Sequence, residues 1–140
     1  MAVGNWHLAK DMKNFRDLNV WQIAHDVTLA IYQNTRTFPR EETYGITSQL
    51  RRCSASVAAN IAEGYGRSSN AEFGRFLAIA MGSASELEYF LLLARDLDYL
   101  QTGVHEDLVK KGGQMRRMLD RLILKVQAES RTTNTKSIAR

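Results

Sequence analysis

Four carboxylates near the middle of the chain are of a type that suits metal binding or acid–base catalysis, if they converge. They are Glu63, Glu72, Glu86 and Glu88. Glu72 has another use, because Ser69-x-x-Glu72 is the capping box that begins a helix. Glu86 interrupts an apolar stripe on its own predicted helix, where it can approach Glu63 of the preceding one. We interpret this pair as part of a structural polar network rather than as a metal or catalytic site.

Further polar residues share the helix faces on which Glu63 and Glu86 lie. The residues that we predict to form one hydrogen-bonded network are Ser56, Asn60, Glu63, Arg75, Ser83 and Glu86. A buried polar group without a partner costs about 1–3 kcal/mol, so such residues should occur where partners are supplied. Because a polar group on a helix seam can also fix register and oligomeric state, we expect the network to align the second and third helices, within or between subunits.

Other catalytic and cofactor sites are poorly supported by the residue spacing. None of the histidines, His7, His25 and His105, follows a glutamate by three residues, so the Glu-x-x-His motif of di-iron bundles is absent. The single cysteine, Cys53, lies on a core stripe and is expected to behave as a small buried hydrophobe. The segment GYGRSS resembles a phosphate loop only weakly, although a helix N-terminus after it could hold an anion. We therefore predict no enzymatic activity and no cofactor. A metal- or nucleotide-dependent enzyme is the third function to consider, after the two non-enzymatic functions given at the end of this section.

A basic stripe on the fourth predicted helix is the most suggestive surface feature. Lys110, Arg117, Arg121 and Lys125 recur at intervals of 7, 4 and 4, and Lys111 and Arg116 add to the charge. The stripe is typical either of a solvated helix face or of a phosphate-binding surface with little sequence specificity. The net charge of +4 is concentrated in the same region, since residues 104–140 alone carry +5. RNA or DNA is therefore a candidate partner.

Four segments with helical periodicity position these residues. Their apolar residues recur at alternating intervals of 3 and 4, which is the spacing of left-handed helix packing. Because the chain contains one proline and short connections, we predict an all-α, antiparallel, up-down-up-down four-helix bundle. It should span residues 17–129, between a flexible N-terminal segment 1–16 and a disordered basic tail 130–140. The sequence shows no apolar run near 18 residues and no signal peptide, so we expect a cytoplasmic protein with no membrane partner.

Three stretches of the chain resemble a known family of bacterial four-helix bundle proteins. The stretches are FRDLNVWQIA, FPREETYGITSQLRRCSASVAANIAEGYGR and EFGRFLAIAMGSASELE. Some members of the family are encoded within intervening sequences of 23S ribosomal RNA genes. The resemblance implies a ring-like homopentamer with no established enzymatic activity. It extends, more distantly, to accessory proteins of diversity-generating retroelements, which bind RNA and a reverse transcriptase through a basic surface.

The function that we expect is a non-enzymatic oligomeric scaffold. Its partners would be copies of itself, RNA or DNA, and a nucleic-acid enzyme such as a reverse transcriptase. The alternative is a purely structural protein-interaction module without affinity for nucleic acid.

Overall fold

The computed structural model describes residues 14–139, and the side chains of residues 14–132. This part of the chain forms four α-helices: α1 Asn19–Asn34, α2 Ile46–Tyr65, α3 Asn70–Asp96 and α4 Thr102–Ala139. Short 3-10 helices, Phe15–Asp17 and Arg40–Glu42, precede α1 and α2. No strand occurs between residues 14 and 139, so the prediction of an all-helical chain with four helices is confirmed.

One hydrophobic core is shared by all four helices. Helix α3 supplies its most continuous stripe, made of side chains that are at most 2% exposed: Phe73, Leu77, Ala80, Ala84, Leu87, Leu91 and Ala94. This is the stripe that the 3-4 spacing predicts. Burying a side chain the size of leucine stabilises a fold by about 1.5–3 kcal/mol, so α3 contributes a large share of the packing energy.

The limits of the helical region differ from the predicted ones at the C-terminal end. Helix α4 continues to Ala139, so residues 130–139, predicted as a disordered tail, form the last turns of this helix. The physical reason is that no glycine or proline follows Gly113 to interrupt the helix. Most of the predicted flexible segment 1–16 lies outside the described residues. Within it, the Asn14 side chain accepts a hydrogen bond of 2.8 Å from the Arg16 backbone N–H and caps the first 3-10 helix.

One helix end lies where the sequence does not place it. The Phe38-Pro39 pair predicts the end of α1 at Phe38, because the residue before a proline avoids the helical region, but α1 ends at Asn34. The buried Thr35 hydroxyl donates there to the carbonyl of Ile31 at 2.8 Å.

The end of α2 agrees with one of two predictions. Either Gly64 or Gly66 is predicted to end this helix, and the helix continues through Gly64 to Tyr65, with Gly66 as its C-cap. Gly64 therefore serves close packing instead of termination. A Cβ atom on Gly64 would lie only 2.6 Å from Cβ of Phe76.

Helix α3 is apolar well beyond its core stripe. By length and composition alone it is long and apolar enough to cross a membrane, and 33% of its most apolar 18-residue window is buried in the chain. A core helix of a bundle passes the same test, and the buried side of α3 packs against the other helices. The remaining side leaves apolar side chains at the surface, including Ile79 and Tyr89, which are 43% and 56% exposed.

Candidate functional surfaces

Three residues of the predicted polar network meet at the seam between α2 and α3. The hydroxyl oxygens of Ser56 and Ser83 lie 2.8 Å apart and share a hydrogen bond across the two helices. The Asn60 side chain donates to the Ser56 carbonyl at 2.8 Å and to the Ser56 hydroxyl at 3.0 Å. Ser83 is 6% exposed, so this contact belongs to the edge of the core. The seam therefore contains a small polar cluster, Ser56–Asn60–Ser83.

The other predicted members of the network bind elsewhere. Glu86 forms an ion pair of 2.6 Å with Arg52 of α2, a partner that the prediction did not include. The remaining pairs stay within one turn of their own helices: Glu63 with Arg67, and Arg75 with Glu72 at 3.2 Å. The six residues thus do not form one network. The long charged side chains of Glu63, Arg75 and Glu86 each pair with a nearby exposed partner instead of with one another. Such exposed pairs are worth about 0–1 kcal/mol each.

Ser83→Ala is expected to destabilise the fold by about 1 kcal/mol, because it removes the hydroxyl that crosses from α3 to Ser56. Asn60→Ala is the matched control and is expected to cost less, since the Asn60 amide bonds only within α2. Urea unfolding of both variants measures the difference. A larger loss for Asn60→Ala than for Ser83→Ala would contradict the assignment of Ser83 as the cross-helix partner.

The residues considered for metal or nucleophilic chemistry have structural surroundings. Within residues 14–132, no group of three or more His, Cys, Asp or Glu side chains is arranged to hold a metal ion. Cys53 is fully buried, and burial raises the pKa of its thiol from 9.0 to about 11. The thiol is therefore protonated at neutral pH and packs as a hydrophobe, as the sequence predicts. His25 is exposed and stacks on Trp21 at a ring distance of 5.0 Å.

The polar groups of the GYGRSS loop also have structural roles. Ser69 caps α3 by accepting a hydrogen bond of 3.1 Å from the backbone N–H of Glu72, so this half of the predicted capping box is confirmed. Arg67 pairs with Glu63, and its guanidinium lies over the ring of Phe76 at 5.0 Å. The described contacts of this loop explain its residues by helix capping and packing.

The predicted basic stripe lies along the solvent side of α4. Lys110, Arg117, Arg121 and Lys125 are all exposed. None of these four forms an ion pair with a carboxylate within the part of the chain whose side chains are described. Their charges are therefore available to a polyanion. Asp107 and Asp120 lie on the same helix and dilute the positive potential.

The two additional basic residues lie on opposite flanks of α4. Arg116 is half-buried and forms an ion pair with Glu88 of α3. Lys111 borders the groove toward α1, where Asp26 is one of the other lining residues. The six predicted nucleic-acid-binding residues thus divide into four that share one free surface and two that face neighbouring helices.

A second basic surface, which helical periodicity does not predict, lies at the connection between α1 and α2. Arg36, Arg40, Arg51 and Arg52 line a cavity of about 550 Å³ together with hydroxyl-bearing and aromatic side chains. The signal available in the sequence is that two arginines, Arg36 and Arg40, flank the only described proline, Pro39, and that the pair Arg51–Arg52 follows in the next helix. Helical periodicity does not detect it, because half of the residues belong to the connection between helices.

Comparison with known proteins agrees with this architecture. Residues 16–121 match the family of the 23S rRNA-intervening sequence protein. No match was found among the curated proteins. Among solved structures, the chain is similar to a protein of unknown function from the S23 ribosomal protein family of Bacteroides thetaiotaomicron. The two are 24% identical with a TM-score of 0.67, over 74% of this chain and 97% of that one.

The structural likeness, at this identity, concerns the fold alone. The family match covers most of the helical region, from the first 3-10 helix into the middle of α4. The three stretches that carry the resemblance in the sequence, between Phe15 and Glu88, lie within this match apart from Phe15 itself. On this basis the chain belongs to the 23S rRNA-intervening sequence protein family.

Proposed function

We propose that this protein is a non-enzymatic scaffold that assembles from copies of itself in the cytoplasm and binds nucleic acid through basic surfaces. A nucleic-acid enzyme, such as a reverse transcriptase, is the protein partner that such a scaffold would bring to its nucleic acid. The observation that carries the proposal is the apolar surface that α3 retains outside the core of its own chain.

The proposed subunit is an antiparallel up-down-up-down bundle with left-handed packing. Residues of α2 and α3 meet in opposite order along the chain, in the contacts Arg52–Glu86, Ser56–Ser83 and Gly64–Phe76. Helices α3 and α4 follow the same rule, in the contacts Glu88–Arg116 and Gly74–Val126. Opposite order is what short connections between successive helices favour.

The outer side of α3 supports self-association. Its exposed apolar side chains are Ile79 at 43%, Tyr89 at 56%, Leu92 at 41% and, just past its end, Leu97 at 43%. Gly82 is exposed among them, and a Cβ atom placed on it would meet nothing within 4 Å. Several exposed apolar side chains on one helix, with room for close approach at Gly82, favour a protein–protein interface. We propose a ring-like homo-oligomer, for which the family resemblance implies five copies.

The basic stripe of α4 supports the nucleic-acid part of the proposal. Four exposed basic side chains along about four turns of helix provide a row of positive charge of the kind that binds phosphates. Aromatic side chains do not accompany the stripe, so it would contact the backbone of the nucleic acid and read little sequence.

A gel-shift titration with a structured RNA tests the binding. We expect the wild type to bind at about 50 mM salt and to lose affinity steeply by about 200 mM, because binding releases counterions. Replacing Lys110, Arg117, Arg121 and Lys125 with glutamine should lower the slope of log K against log salt by up to about 3.6 for duplex regions. Arg75→Gln with Arg95→Gln, on α3, is the control and should bind like the wild type.

Two outcomes separate the alternatives. An intact oligomer that shows no shift at about 50 mM salt would contradict nucleic-acid binding and favour the purely structural interaction module. An equal loss of affinity in the control variant would show that exposed arginines bind nucleic acid wherever they lie on the surface. That result would contradict a specific role of the α4 stripe.

A further inference from the structure

The arginine-lined cavity between α1 and α2 has the properties of a phosphate site. Its volume is about 550 Å³, and Ser48 adds a hydroxyl group to the arginines that line it. The hydroxyl of Thr43, which also lines the cavity, already donates to the carbonyl of Arg40 at 2.8 Å. Guanidinium groups present planar pairs of N–H donors that match phosphate oxygens, and hydroxyl groups supply further donors. No carboxylate lines the cavity in the described part of the chain.

Two of the arginines have guanidinium groups with no competing partner among the described residues. The side chains of Arg36 and Arg40 are exposed and form no ion pair or hydrogen bond with another described residue. Arg52 is partly neutralised, since its guanidinium pairs with Glu86 at 2.6 Å. The cavity therefore retains a net positive charge near its opening.

Arg51 is held in place by neutral groups. Its Nε donates to the hydroxyl of the buried Thr35 at 2.9 Å, and its guanidinium lies over the ring of Tyr32 at 4.9 Å. These contacts orient the side chain without cancelling its charge. A positioned guanidinium loses less conformational entropy when it binds an anion than a freely rotating one does.

The nearest acidic residues in sequence, Glu41 and Glu42, do not line the cavity. The Oε1 atom of Glu42 lies beside Gly45, 2.8 Å from the position of an added Cβ atom. Burial raises the pKa of Tyr99, and the negative charges of Glu42 and Glu41 act in the same direction.

An aromatic ring stands at the edge of the arginine cluster. Tyr44 lines the cavity and is 95% exposed, which leaves its ring free to stack on another planar group. Proteins that bind single strands combine backbone-tracking positive charge with exposed aromatic rings on which bases stack. A paired base in a duplex already stacks on its neighbours, so only an unpaired base has a face available to stack on Tyr44.

We propose that this cavity binds the phosphodiester backbone of a single-stranded nucleic acid, with one base stacked on Tyr44. The proposal rests on the proposed function, because it assigns a second and more specific site to a protein that binds nucleic acid. It differs from the α4 stripe in combining oriented guanidinium groups, hydroxyl groups and an aromatic ring at one place.

Fluorescence anisotropy with a labelled single-stranded RNA oligonucleotide tests the site in the full chain. Arg36→Gln with Arg40→Gln is expected to weaken binding at least about 10-fold and to lower the salt slope by about 1.4. Arg75→Gln with Arg95→Gln removes the same charge from α3, outside both proposed binding surfaces, and is the matched control, with an expected change below about 3-fold. Tyr44→Ala is expected to weaken binding between about 5-fold and 100-fold at an unchanged salt slope, and Tyr44→Phe to restore it.

The outcomes distinguish this site from the broader proposal. Wild-type binding that is equally weakened by both double variants would overturn the cavity as a site, while nucleic-acid binding by general charge would stand. Loss of binding in Tyr44→Phe as well as in Tyr44→Ala would overturn stacking. If the wild type binds no RNA at low salt, both the cavity site and the broader proposal of nucleic-acid binding are overturned. Circular dichroism of each variant shows that the helices persist, as the exposure of Arg36, Arg40 and Tyr44 leads us to expect.

Discussion

Gly64→Ala is expected to destabilise the protein by about 3 kcal/mol, the upper end of the usual cost of overpacking a core. The added Cβ would lie 2.6 Å from Cβ of Phe76 and 3.0 Å from a ring carbon of Phe73. Cβ of Phe76 is bonded directly to the backbone, so it cannot rotate away. Relief would require α2 and α3 to separate where Gly64 faces Phe76. Thermal unfolding followed by circular dichroism measures the loss.

Gly112→Ala is the matched control for Gly64→Ala. It also lies inside a helix, but an added Cβ would meet nothing within 4 Å. Alanine is about 1 kcal/mol more favourable than glycine in a helix, so this variant is expected to be as stable as the wild type or more so. Equal melting temperatures for Gly64→Ala and the wild type would contradict the close approach of α2 and α3.

Tyr89→Asp with Leu92→Asp is expected to convert the assembly into single chains. These side chains are 56% and 41% exposed on α3, so the charges face water in a monomer and leave its core intact. In an assembly that covers the same surface, two unpaired carboxylates would be buried, at a cost of several kcal/mol. Light scattering coupled to size-exclusion chromatography measures the change in mass.

Leu124→Asp is the control for this pair of substitutions. Leu124 is 62% exposed on α4, away from the proposed interface on α3. It should retain the wild-type mass. Dissociation by Leu124→Asp, with no change in the α3 variant, would relocate the interface to α4 and refute the role given to α3.

The core of α3 could be predicted from the sequence, because one apolar stripe continues through seven residues at intervals of 4 and 3, whereas Glu86 interrupts the stripe beside it. Helix α1 shows the limit of this approach. The 3-4 spacing assigns Trp21, Ala24, Thr28 and Ile31 to its core stripe, and Ala24 and Ile31 are buried as predicted. At the other two positions the neighbouring residues Val20 and Val27 are buried instead, at 5% and 0%, so the buried face is turned toward them. Thr28 then lies at the edge of the core, and its hydroxyl donates to the backbone carbonyl of Ser54 of α2 at 3.0 Å.

The partners of long polar side chains could be predicted less well. Ser56 and Ser83 have short side chains on facing stripes, so their meeting follows from helix geometry. Arg52 and Glu86 have several rotatable bonds each, and their pairing depends on rotamers that spacing does not determine. Arg52 stands four residues before Ser56 on the same face of α2, which is the sequence signal that could have identified it.

The arginine cavity could not be predicted because it depends on the path of a connection. Residues 35–45 have no periodicity, and the cavity forms only when α1 stops at Asn34 and Arg36 and Arg40 fold back beside α2. The hydroxyl of Thr35, which bonds both to the end of α1 and to Arg51, couples the helix end to the cavity. The Phe38-Pro39 pair predicts a helix end at Phe38, which would leave Arg36 inside a helix.

The mass of the wild-type particle at micromolar concentration tests the central proposal of self-association most directly. One chain has a mass of 15.9 kDa. Native mass spectrometry should show a single closed assembly at a fixed multiple of that mass, with five copies as the number that the family resemblance implies. A stable species of one chain, with Tyr89 and Leu92 fully accessible to solvent, would contradict the proposal that other copies cover the outer side of α3.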